Sequence, residues 1–221
     1  LSIAGRCPET GMLGGAVTSS SICVASRCLF TRTGVGTALT QNVTDPSLGE
    51  KMLNLLESGE NVKTALSKIV SEENHIQWRQ LVLLDSTGSS ALHTGENVLG
   101  KHATVQGNQC VAAANLLANQ SVPSAMVEAF EKNSGHLAHR LITALDAGIN
   151  AGGEEGPVFS AGVEVSHKVM WPIVNLRVDW EDEPISKLNK IWNEYQPQLE
   201  AYLIRALNPD EAPSYGVPGD M

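Results

Sequence analysis

The spacing of apolar and polar residues changes period several times along the chain, and each change predicts an element. Leu1 to Arg6 is a short apolar run, CPETG supplies the proline and glycine of a turn, and Met12 to Ser20 returns as small and β-branched residues. That pattern predicts an opening β-hairpin. Residues 33–42, TGVGTALTQN, read as a third strand, with Gly34 and Gly36 at its start permitting a bulge or a close backbone approach. A helical period follows: Asp45-Pro46-Ser47 is a start signal, Leu48, Met52, Leu55 and Leu56 mark one face, and Gly59 ends it. Val62, Leu66, Ile69 and Val70 mark a second helix, and RQLVLLDSTGSSALHTG a second hairpin that turns at Asp85 to Gly88 and ends at His93. Two long helices are expected over about 110–132 and 135–151, then strands over about 158–166 and 169–179.

The order is therefore strands, helices, strands, helices, strands. Strands arriving as hairpins imply antiparallel sheets, and paired helices imply separate layers. The fold class is α+β, and a four-layer αββα sandwich accounts for the order economically. Residues 1–180 form that domain, and 181–221 a C-terminal helical extension and arm. In the extension Ile185, Leu188, Ile191, Trp192, Tyr195, Leu199, Tyr202 and Leu203 form one stripe that Pro197 kinks or divides. The stripe packs on the domain or on a second subunit, so a homo-oligomer is the expected assembly. Residues 208–221 read as an extended arm.

Charge narrows the partners. With 24 acids against 15 bases and a formal net charge of −9, the 221-residue chain lacks the basic density that a nucleic acid requires. The longest uncharged stretch, Ala103 to Val127, contains seven amide or proline positions from Gln106 to Pro123, too polar for a hydrocarbon core. No membrane span and no targeting segment is read. The four cysteines do not form a disulfide framework; Cys23 and Cys28 have a spacing near that of metal ligands but no second pair follows. The expectations are a cytoplasmic protein with no metal and no cofactor.

Familiar catalytic motifs are missing: G-x-S-x-G, the P-loop, the dinucleotide glycine pattern and H-E-x-x-H. What stands out is uncharged polar residues at strand ends: Thr40-Gln41-Asn42, His93-Thr94-Gly95 and Gln106-Gly107-Asn108. Amide side chains donate hydrogen bonds without charge, which suits an oxyanion hole or an amide-recognising pocket. Singly, such residues are ordinary turn formers, and His93 either lines a pocket or anchors its turn. Together they point to a site.

The segments SIAGRCPETGMLGGAVTS, GVGTALTQN, HTG, VQGN, AGINAGGEEG, LRVDW and RALNPDEAPSYGVPGD resemble the domain-of-unknown-function 1028 family, a mainly bacterial family of the N-terminal-nucleophile (Ntn) hydrolase superfamily. The resemblance spans essentially the whole chain. It implies an Ntn-type amidohydrolase that cleaves a C–N bond of a small-molecule substrate. In such enzymes the first residue of the mature chain is both nucleophile and base, its own α-amine taking the proton of its hydroxyl or thiol. Leu1 has no such group. Ser2 serves only if Leu1 is removed; by the family's register the nucleophile, commonly Thr, stands immediately before Leu1. On this reading Asn108 is the candidate contact for the oxyanion or a substrate amide, Gln41, His93 and Gln106 line the pocket, and Ser19 and Ser20 either bond the terminal amine or cap the strand end. Glu154 fits an acidic position of the family, whereas the Arg that often follows it is missing here. The alternative is a non-catalytic Ntn-fold domain that binds a small molecule or a protein.

Overall fold

The computed structural model describes residues 1–219. The opening hairpin is β1 (Ser2–Arg6) and β2 (Leu13–Ser19), paired with Ile3 opposite Ala16. A short helix α1 (Ala25–Cys28) leads into a second hairpin, β3 (Leu29–Arg32) and β4 (Gly36–Asn42). Helices α2 (Ser47–Glu57) and α3 (Val62–Glu72) follow, the latter capped by Asn61, whose side chain accepts the N–H groups of Lys63 and Thr64. Then come β5 (Arg79–Asp85) and β6 (Ser90–Thr94), β7 (Ala103–Gly107) and β8 (Cys110–Ala114). The chain continues through α4 (Val122–Lys132), α5 (Leu137–Asn150), β9 (Ser160–Ser166) and β10 (Val174–Val178), and ends in α6 (Pro184–Tyr195) and α7 (Leu199–Leu207).

Every strand pairing is antiparallel. One sheet has six strands in the order β10-β9-β2-β1-β8-β7, the other four in the order β3-β4-β5-β6. Three apolar layers hold the stack together. Leu1, Ile3, Ala112, Phe130, Leu141 and Trp192 belong to the layer between the six-stranded sheet and its helices. Ala4, Leu13, Val17, Leu39, Val82 and Val111 fill the space between the sheets. Ala38, Leu48, Met52, Leu66 and Leu83 join the other sheet to α2 and α3. The architecture is the four-layer αββα sandwich.

Strand alternation sets which face each residue of β1 presents. Leu1 and Ile3 lie on the helix side, whereas Ala4, and with it Ser2, lies on the inter-sheet side. The sheets approach closely where β1 and β2 are small: a Cβ at Gly15 would stand 2.7 Å from Leu29 Cδ1 and 3.2 Å from Thr37 Cγ2.

Two expectations need correction. Residues 110–132 are not one helix: β7 and β8 form a hairpin and α4 begins only at Val122. The segment Cys110-Val111-Ala112-Ala113-Ala114 has high helix propensity, yet it is buried throughout, with a helix layer on one side and the second sheet on the other. Small residues covered on both faces lose the alternation that marks a strand. The four-residue β3 was likewise not anticipated, and β10 starts at Val174 rather than near 169.

Pro197 divides the tail as expected, at a 3-10 turn spanning Gln196–Gln198. The helix before it buries Ile185, Leu188 and Trp192 against α5, β9 and β10, and Tyr195 donates its hydroxyl to Ile173 C=O at 2.9 Å. The helix after it has no fully buried residue. The last two positions of the expected arm, 220 and 221, lie outside the described residues.

Candidate active site

Where β1 begins and β2 and β4 end, the two sheets leave a cavity of about 150 Å³. Leu1 lines it, with its nitrogen just ahead of β1. This nitrogen is buried and donates to Thr18 C=O at 3.0 Å, while Thr18 N–H donates to Leu1 C=O at 2.9 Å, so the β1–β2 ladder extends to this end. The Glu154 carboxylate stands 3.6 Å from the same nitrogen. Burial drives the pKa of the Leu1 amine below its ordinary 8.0, and the charge of Glu154 pulls in the other direction. An amine depressed in this way is closer to being a free base at neutral pH.

Glu154 reaches the cavity because of how α5 ends. Gly152 (φ 126°) and Gly153 (φ 63°) take left-handed backbone conformations that turn the chain back, and Glu154 then bridges to Leu117. Its second carboxylate oxygen accepts the Ser20 N–H at 3.3 Å. One acidic side chain thus touches both the strand end and the loop that follows β2.

The opposite wall is built of amides. Asn42, at φ 75°, accepts Asn115 Nδ2 and the Leu99 N–H, each at 3.0 Å, and donates to Trp78 C=O at 2.6 Å. Leu116 beside it is also left-handed, at φ 52°. Two non-glycine residues in this sparsely populated region on one cavity wall are a concentration of backbone strain of the kind found at functional sites. Deeper in, Gln41 donates to Gln80 Oε1 at 2.5 Å, and Gln80 donates to Ala114 C=O at 3.3 Å, which ties one sheet to the other. Cys28 and Arg27 of α1 complete the lining, and burial raises the Cys28 thiol pKa.

The structure brings Gln41, Ser19 and Ser20 to this cavity and leaves the others elsewhere. The amine's hydrogen bond goes to Thr18 C=O, not to a hydroxyl of Ser19 or Ser20, and Ser19 Oγ accepts the Ser21 N–H. Ser2 is fully buried and its hydroxyl donates to Ala113 C=O at 3.2 Å. Asn108 is at the far end of β1. Arg6 N–H donates to Gln109 C=O, so the β7–β8 turn lies beside Arg6, five residues from Leu1 or about 16 Å at the rise of a strand. There Asn108 lines a separate cleft, and its N–H donates to Glu131. Gln106 donates to Ser90, joining β7 to β6, and His93 contacts Ile76 C=O on the outer side of the four-stranded sheet. Arg177 pairs with Asp179 at 2.9 Å.

Asn115, Arg27, Cys28 and Thr44 escaped the sequence reading as cavity residues. Asn115 had a signal, an amide directly after an apolar run, but that run was taken for a helix. Among the described residues no group of three or more His, Cys, Asp or Glu side chains is placed to hold a metal ion, and no helix is long and apolar enough to cross a membrane.

Comparison with known proteins places the chain. The model of the "Family of unknown function (DUF1028)" matches residues 1–188. The crystal structure of protein SPO2555 from Silicibacter pomeroyi, itself matched to DUF1028, is similar with a TM-score of 0.83 and 31% identity, over 88% of this chain and 85% of that one. Anbu, an ancestral β-subunit from Yersinia bercovieri, gives a TM-score of 0.40 at 12% identity over 90% of this chain and 96% of its own, a distance at which the likeness bears on neither fold nor function. No curated protein matches the chain. The family model's span and the similarity to a second member lead to one conclusion: the chain belongs to the DUF1028 family of unknown function.

Proposed function

We propose that this protein is an Ntn-type amidohydrolase that cleaves a C–N bond of a small molecule, its nucleophile being a hydroxyl or thiol residue joined to the Leu1 nitrogen. One observation carries the reading: Leu1 lines the inter-sheet cavity, and a buried carboxylate stands 3.6 Å from its nitrogen. By strand alternation, a residue joined to that nitrogen shares the face of Ser2 and Ala4 and directs its side chain between the sheets. By register it stands opposite Ser19. Leu1 itself faces α5 and takes no part in the chemistry.

The proposed reaction has two halves. In the first, the side-chain oxygen attacks the substrate carbonyl carbon while its proton passes to the α-amine of the same residue. The C–N bond then breaks, and the departing nitrogen takes that proton. In the second, water attacks the acyl-enzyme and gives its proton to the α-amine, which passes it to the departing side-chain oxygen as the C–O bond breaks and the acid is released. Asn115 spends one amide proton on Asn42 and offers the other to the developing oxyanion, a contact of a type worth about 3–4 kcal/mol. Glu154, 3.6 Å from the nitrogen to which that residue is joined, sets a negative charge beside the nucleophile.

The test is covalent labelling of the chain carrying Thr before Leu1 with a small β-lactone, an electrophile that acylates such a nucleophile. The expected result is one adduct, on the first residue, absent when Thr is replaced by Ala. An unlabelled chain, or an equal adduct on the Ala chain, contradicts the reading and leaves a binding domain.

A further inference from the structure

Charge around the cavity is unbalanced. In the chain that begins at Leu1 the terminal amine and Glu154 are of opposite sign and adjacent, at 3.6 Å. The remaining charged side chain of the lining is Arg27, on α1. Its Nη2 donates to Ile22 C=O at 2.6 Å and to Ser21 Oγ at 3.1 Å, which fixes the guanidinium against the loop after β2. Its Nε and Nη1 make no hydrogen bond among the described residues. Arg32, Arg79 and Arg177 each close on a carboxylate; among the described residues Arg27, like Arg6, Arg140 and Arg205, does not, and of these four it is the one that lines this cavity. In a chain of net charge −9, a guanidinium fixed by neutral groups beside a cavity, with donors to spare, is an arrangement for receiving an anion.

We propose that the amide hydrolysed at this site carries a carboxylate, and that Arg27 receives it. The substrate class is then an N-acyl or N-carbamoyl amino acid of small side chain, or a compound of the same outline. The carboxylate accepts charge-assisted hydrogen bonds from Nε and Nη1 of Arg27 at the cavity wall, and the scissile carbonyl is directed toward the strand end. At about 150 Å³ the cavity is below the usual range for ligand sites, from about 300 Å³, so it admits a compact group and leaves the rest of a larger molecule outside.

This inference rests on the cavity being the substrate site, and its test separates the two. N-acetylglycine and N-carbamoylglycine are titrated by calorimetry into the full chain and compared with their primary amides, which have the same outline without the charge. The acids are expected to bind at least tenfold more tightly than the amides. Arg27→Gln reduces that preference to less than twofold, and Arg27→Lys, which keeps the charge, restores most of it. A thermal melt of each variant confirms that the fold is retained, since Arg27 also braces the loop. Equal binding of acids and amides, no binding of either, or a preference that survives in Arg27→Gln overturns the assignment. The β-lactone adduct on the unsubstituted Arg27 chain reports on the nucleophile alone. An adduct without acid preference leaves catalysis standing and removes Arg27; acid preference without an adduct does the reverse.

Discussion

Replacing Glu154 with Gln removes one charge from the cavity and little else. The amide keeps the outline of the side chain and an oxygen for the Ser20 N–H, which Glu154 now accepts at 3.3 Å. In the chain that begins at Leu1, what it loses is attraction to the Leu1 ammonium at 3.6 Å. At an effective dielectric constant near 20 that attraction is about 4–5 kcal/mol. Burial already outweighs it and holds the amine below 8.0, so without the carboxylate burial acts unopposed. The amine pKa in Glu154→Gln should fall further. Glu154→Asp should fall between the two. Competitive acetylation across pH 5–10, with the N-terminal peptide quantified by mass spectrometry, reads the midpoint directly, because only the free amine reacts. An unchanged or higher midpoint in Glu154→Gln would refute the electrostatic pairing and take Glu154 out of the site.

Three other outcomes follow from the same coordinates. Gln41→Leu leaves the buried Oε1 of Gln80 without its donor and should cost about 1–3 kcal/mol in urea unfolding, while the double variant with Gln80→Leu should cost less than the sum of the singles; strict additivity would deny the inter-sheet bridge. Trp192→Ala empties a fully buried site beyond the end of the family match and should cost about 3–5 kcal/mol, so a melting point within a degree or two of the parent would show that α6 is not integral to the core. His136 caps α5, stacks on Trp192 and has its pKa lowered by burial and then by His167. Its unfolded form takes up a proton near pH 6.5 while the folded form resists, so its stabilising contribution is full above that pH and is lost as the pH falls through the lowered folded value. The melting point of the parent should therefore drop relative to His136→Asn between pH 7.5 and 5.5, and a constant difference contradicts this.

The sandwich was legible because most of its parts announce themselves locally. The CPETG turn, the Asp85-to-Gly88 turn and the stripes of α2, α3 and α5 each follow from residues close in sequence. What was hidden depended on the third dimension. Cys110 to Ala114 is helix-like in isolation and becomes a strand because β1 and β7 flank it and layers cover both its faces. That one substitution of strand for helix moved Asn108 to a hairpin turn at the far end of β1 and brought Asn115 to the cavity in its stead. Asn108 and Asn115 thus stand at opposite ends of the same strand, each lining a different cavity. Glu154 was noticed by resemblance; its distance from the Leu1 nitrogen depends on where α5 ends relative to β1, which no local pattern encodes. Arg27 carries no sequence signal at all, since a lone arginine on a four-residue helix looks like any surface cation until its neighbours prove to be neutral.

The most direct test of the central claim is the identity and state of the residue joined to Leu1 in the protein expressed from its complete native gene, read by intact mass and N-terminal sequencing. The account predicts a single Thr, Ser or Cys before Leu1 with a free α-amine, placed opposite Ser19 and facing between the sheets. A mature chain with any other residue there, or with that amine blocked, would leave the αββα fold and its cavity intact and contradict the hydrolase.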